Sequence, residues 1–147
     1  MKTQSKEKSK YCTCLYFSSN ALARLMTKIA DEEFSSTGLT TSYAFLLMTV
    51  NDKPGIQPTE ISNHMMLTPS TVTRLIDKME DKRYLRREYE GKQTKVFPTE
   101  KSLVLDKKLR DNWINLFKKY SDVLGENISV DLTVDISKAV EKLELQH

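Results

Sequence analysis

The stretch from Thr68 to Lys82, Thr-Pro-Ser-Thr-Val-Thr-Arg-Leu-Ile-Asp-Lys-Met-Glu-Asp-Lys, constrains the fold most, because its apolar residues recur with the period of a helix. Pro69 suits a first helical turn, where its missing N–H costs nothing, and Thr68 can cap the exposed amides. Val72, Leu75, Ile76 and Met79 follow at i, i+3, i+4 and i+7 and make one buried stripe. Ser70, Thr71, Thr73 and Arg74 remain on the early, outward side. Short hydroxyls and an arginine there suit phosphate contact and base-edge readout. Alone, the same pattern also describes a helix with a solvated face, so its flanks decide.

Upstream, Leu22, Leu25, Met26 and Ile29 recur at helical spacing in a long first helix, about residues 11 to 34, closed by Ser35-Ser36-Thr37-Gly38. Residues 40 to 50 read as a second, strongly buried helix, ended by Asn51-Asp52-Lys53-Pro54-Gly55. Pro58 opens a short third helix to about Met65, and Leu67-Thr68-Pro69 is a tight turn. A short helix, a tight turn and a longer helix are the proportions of a helix-turn-helix. Downstream, Tyr84–Glu88 and Lys95–Pro98 are strand-like and flank a charged tip from Tyr89 to Thr94. A hairpin in that place is a wing. Two further helices are expected, one from Thr99 to about Gly125 and one from about Val130 to Leu145.

Charge follows the same division. The chain carries a formal +3, and residues 74 to 95 hold eight basic residues against five acidic ones. Residues 1 to 10 form a basic tail with four lysines and one glutamate, expected to be flexible. The basic surface is therefore local, as a module with one nucleic-acid face requires. A winged-helix module working only through protein contacts is the competing reading, and it has no need of that basic block.

The order of elements and the residues Pro69-Ser70-Thr71-Val72-Thr73-Arg74-Leu75-Ile76-Asp77-Lys78-Met79-Glu80, followed by Tyr84-Leu85-Arg86-Arg87, resemble the MarR family of bacterial transcription regulators. The resemblance spans about residues 11 to 145. It implies a mainly α (α+β) fold: one domain over 11 to 147, with a winged helix-turn-helix and its two-stranded wing at about 56 to 98. Dimerisation helices would lie at about 11 to 34 and 100 to 145. The wing departs from the family pattern, with Glu90-Gly91-Lys92 in place of Asp-x-Arg and Pro98-Thr99-Glu100-Lys101-Ser102 in place of Leu-Thr-x-x-Gly. The charge signs persist, but the planar arginine fork is lost.

By that resemblance the protein would be a homodimer on double-stranded DNA. It would bind a pseudopalindromic operator and act as a repressor released by a small-molecule or oxidative signal. Ser70, Thr71, Thr73, Arg74, Lys78, Arg86, Arg87 and Lys92 are the expected DNA-contacting set. Arg86 and Arg87 alternate on a strand, so one should face DNA and the other should pair with a carboxylate such as Glu88 or Asp77. A small aromatic or lipophilic effector would be held by Tyr11, Tyr16, Phe17, Tyr43, Phe45 and Trp113, although such a cluster also reads as core.

Cys12 and Cys14 are too few and too close for a disulfide framework. The segment from Cys12 through Tyr16 to Ser18-Ser19 is similar to the sensing-cysteine region of the family's organic-hydroperoxide-responsive branch. Cys12 at a helix N-terminus would then be redox-reactive, and small buried interface cysteines are the alternative. With two histidines, His64 and His147, and Cys-x-Cys lacking a second pair, no metal site and no cofactor are expected. Asp31-Glu32-Glu33 reads as a solvated face, one member paired to Lys28. No phosphate-cradling loop or nucleophile elbow points to an enzyme. No apolar run reaches membrane-span length and the first ten residues are polar, so a cytoplasmic protein is expected.

Overall fold

The computed structural model describes residues 6–147; the first five residues of the expected basic tail lie outside it. Eight regular elements follow in chain order: α1 (Leu15–Phe34), α2 (Thr41–Asp52), α3 (Pro58–Met65), α4 (Pro69–Asp81), β1 (Leu85–Glu90), β2 (Gln93–Pro98), α5 (Glu100–Leu124) and α6 (Glu126–Glu144). This is the expected winged helix-turn-helix between terminal helices.

The core is centred on α2, where Ala44, Leu46, Leu47, Met48 and Val50 are all buried. Asp31 of α1 caps this helix, its carboxylate accepting from the Thr41 N–H at 2.9 Å and the Thr41 hydroxyl at 2.7 Å. Glu33 pairs with Lys119 of α5 at 2.7 Å. The acidic run is thus not simply a solvated face: two of its three carboxylates tie α1 to neighbouring helices. At the other end of α2, Asn51 donates to Asp106 and accepts from the Ser102 hydroxyl, both at 2.9 Å, which fixes α5 against the core.

Three boundaries differ from expectation. The first helix does not run unbroken from Tyr11, because Lys10–Thr13 form a separate 3-10 turn and Cys14 is extended. The Ser18 hydroxyl donates to the Cys12 carbonyl at 2.8 Å, satisfying it without a continuous helix. In the hairpin, pairing extends to Glu90 opposite Gln93, leaving only Gly91-Lys92 as the turn. Backbone hydrogen bonds serve polar residues as well as apolar ones, and Gly91 supplies the left-handed φ of 59° that closes so short a loop. The last helix starts at Glu126, directly after Gly125, where an acidic first turn suits the helix dipole.

One pairing had no sequence signal. Ile56 bridges to Val96, with the Gly55 N–H donating to the Val96 carbonyl at 2.8 Å and the Val96 N–H to the Ile56 carbonyl at 2.9 Å. This single-residue contact ties the entry to α3 to the wing. Apolar side chains stay exposed on the terminal helices, among them Leu25 of α1, Ile114 and Val123 of α5, and Ile128, Ile136 and Leu143 of α6. Among the described residues no helix is long and apolar enough to cross a membrane.

Candidate nucleic-acid interface

The face that α4 turns outward follows from the face that it buries. Val72, Ile76 and Met79 are fully buried and meet the fully buried Ile61 of α3 in one core. The Thr68 hydroxyl accepts from the Thr71 N–H at 3.4 Å and approaches the Thr71 hydroxyl at 2.9 Å, so Thr71 is partly committed to the cap. Ser70, Thr73, Arg74 and Lys78 are left exposed. Thr73 donates its hydroxyl proton to the Pro69 carbonyl at 3.0 Å, leaving its lone pairs and methyl group outward.

The two wing arginines have different surroundings. Arg87 lies between two carboxylates of α4, with Asp77 at 2.6 Å and Glu80 at 3.0 Å, and its own N–H donates to Glu80 at 3.0 Å. Only 12% of its side chain is exposed. Burial alone would lower its pKa, but hydrogen bonds and charge from Asp77 and Glu80 more than offset this and raise it. Arg86, the next residue on the strand, is exposed, stacks over Phe97 at 4.6 Å and pairs with Glu88. Arg87 therefore joins the wing to α4, while Arg86 faces solvent. Lys92 projects from the tip, and Lys95 pairs with Glu90 at 2.9 Å below it. Among the described residues no carboxylate lies within ion-pair distance of Arg74, Lys78 or Lys92. All three are exposed, Arg74 and Lys78 on α4 with Ser70 and Thr73, and Lys92 at the wing tip.

The six aromatic residues expected around an effector are not brought together. Phe45 and Trp113 meet edge to face at 6.1 Å and border a cavity of about 320 Å³ between α2, α3 and α5. Tyr11 and Phe17 pair at 5.6 Å at the start of α1, Tyr16 is exposed, and Tyr43 packs against the core. The reason is connectivity: the 3-10 turn and α1 carry the first three aromatics on an element that does not border this cavity. What sequence reasoning missed are its other walls, Met48, His64, Met65, Met66 and Arg110. The His64-Met65-Met66 run was visible, but nothing in its local period shows that it faces α5. Arg110 binds Asp52 at 2.7 Å, Asp106 at 3.3 Å and the Met48 carbonyl at 3.2 Å. Burial works to lower its pKa, and the Asp52 and Asp106 carboxylates raise it on balance. Cys12 and Cys14 are both free and exposed, and Cys14 rather than Cys12 occupies the cap position of α1.

A model of the MarR family matches residues 37–93, the segment from the end of α1 through the wing tip. Over these residues, which hold the winged helix, the chain is similar to that family. Solved structures of family regulators superpose on nearly the whole chain. S. aureus MepR in complex with DNA gives a TM-score of 0.76 at 15% identity, covering 92% of this chain and 99% of that one. A mutant MarR from E. coli complexed with operator DNA gives 0.77 at 13% identity, covering 90% and 99%. CouR from Rhodococcus jostii, bound to p-coumaroyl-CoA, gives 0.73 at 16% identity, covering 90% and 95%. At these identities the superpositions establish the fold alone. No curated relative matches the sequence.

Proposed function

We propose that this chain is a cytoplasmic, sequence-specific DNA-binding transcription regulator, not an enzyme, acting as a homodimeric repressor on a pseudopalindromic operator. The observation that carries the reading is the α4 surface: a helix anchored by Val72, Ile76 and Met79 presents Ser70, Thr73, Arg74 and Lys78 outward, beside a wing tipped by Lys92. In this reading α4 enters the major groove, with Arg74 and Thr73 at base edges and Ser70, Thr71 and Lys78 at phosphates or base edges. Lys92 reaches the minor groove, Arg86 holds the backbone, and Arg87 sets the angle between wing and helix. The exposed apolar side chains of α1, α5 and α6 are the surface that a second copy covers.

Residues 11 to 147 then act as one domain, with residues 1 to 10 as a basic tail. A small ligand in the cavity bounded by Phe45, Met65, Met66 and Trp113 acts as the signal by favouring the dimer whose recognition helices are mis-spaced. The test is selection of bound sequences from random duplex DNA. Paired half-sites about 10 bp apart, centre to centre, are the expected product. Recovery of no common sequence, or a salt dependence too shallow for several phosphate contacts, would overturn the reading.

A further inference from the structure

Thioethers are soft metal donors, alongside the histidine, cysteine and carboxylate side chains of the chain. Three of the chain's six methionines, Met48, Met65 and Met66, border the one cavity that also holds His64 and Trp113. On a continuing helix the side chains of residues 64, 65 and 66 would diverge by about 100° per residue. Met66 instead adopts a left-handed φ of 55°, which is uncommon for a residue with a Cβ, and all three side chains border the same space. His64 is exposed and makes no hydrogen bond to protein among the described residues, so an imidazole nitrogen is open to a ligand. The guanidinium on the cavity wall, Arg110, is neutralised by its ion pair with Asp52 beside it.

We propose that His64, Met65, Met66 and Met48 form a binding site for a soft monovalent cation, Cu(I), with the Trp113 ring beside it. Thioethers and imidazole suit Cu(I), whereas hard divalent ions favour oxygen donors. An indole face attracts a cation, and Trp113 stands half exposed at the cavity. This names the signal for the cavity assigned above and rests on that reading only for its effect on DNA; binding of the ion itself stands apart.

The experiment is a titration of the full chain carrying Cys12→Ser and Cys14→Ser with Cu(I) under anaerobic reducing conditions, and with Ag(I) as surrogate. Fluorescence of Trp113, the only tryptophan, reports on binding. One equivalent should bind and quench the signal, and excess Zn(II) should not displace it. Met66→Leu and His64→Asn should each weaken binding about ten-fold or more, a loss that even supporting residues of a metal site show. Met→Leu conserves volume, and circular dichroism checks that each variant is folded. Absence of binding once the cysteines are removed, or unchanged affinity in both folded variants, overturns the proposal. So does quenching by an aromatic acid or a lipophilic ammonium ion with none by Cu(I) or Ag(I). Any of these results leaves the operator selection, and the DNA-binding reading, untouched.

Discussion

Removing Arg87 separates the joint between wing and recognition helix from contact with DNA. Its guanidinium makes two charge-assisted contacts to α4, at 2.6 and 3.0 Å, from a side chain only 12% exposed. A fully buried pair that loses one partner costs about 3 to 5 kcal/mol, and an exposed pair about 0 to 1. Here the arginine is enclosed, but Asp77 and Glu80 keep 57% and 41% of their side-chain exposure and can rehydrate. Arg87→Ala should therefore lie between those limits, at about 2 kcal/mol. For a chain of this size that is a fall in Tm of roughly 4 to 8 °C, measured by circular dichroism at fixed protein concentration. Arg87→Lys, keeping charge without the fork, should fall between wild type and alanine. Because the paired carboxylates raise the Arg87 pKa, its charge is kept at any working pH above neutrality, and the contribution should not titrate away there. If Arg87→Ala left Tm within a degree of wild type while lowering the salt slope of operator binding by about one, Arg87 would be a phosphate contact and the bracing argument would be wrong.

Arg74→Ala should cost on the order of 1 to 3 kcal/mol in operator binding and relax the preference at one operator position, read by repeating the selection with the variant. Lys92→Ala should weaken binding evenly across sequences and reduce the slope of log affinity against log salt by about one. Asp31→Ala removes the cap of α2 and should lower stability by about 1 kcal/mol, with the salt slope unchanged. An altered slope in that variant would mean that α1 shapes the DNA surface.

What was legible in the sequence was what local period and capping determine. The spacing from Val72 to Met79, Thr68-Pro69 before it and the basic hairpin after it located α4, its buried side and its exposed side. A carboxylate partner for one wing arginine was also expected, with Glu88 or Asp77 as candidates; Arg87 pairs with Asp77 and Glu80, and Arg86 pairs with Glu88. Contacts that carry no period were not legible. Ile56 pairs with Val96 through a single residue and leaves no alternation to read. The cavity is lined from α2, α3 and α5, so its walls depend on how three helices converge; only Phe45 and Trp113 of the expected aromatics reach it. Asp31 looked like surface because its partner, the N-terminus of α2, is ten residues away across a turn.

The position of that cavity bears on how a signal reaches DNA. Met65 ends α3 and Met66 caps it, three residues before α4 begins. The connecting turn is held by the Ser62 hydroxyl donating to the Leu67 carbonyl at 2.5 Å and by the Leu67 N–H donating to the Ser62 carbonyl at 3.2 Å, while Ile61 and Val72 share one core. So α3 and α4 have little freedom to move separately, and under the proposed function a ligand pressing on Met65 and Met66 would displace both against α5. Each recognition helix in a dimer must meet a half-site one helical turn from the other, so a small tilt in each protomer adds up at the operator. Lowering operator affinity a hundred-fold requires about 2.7 kcal/mol of coupling, and linkage then requires DNA to weaken the ligand by the same factor. Direct contact between the ligand and the last turn of α3 is a short route for that coupling, because no intervening element can yield and absorb it.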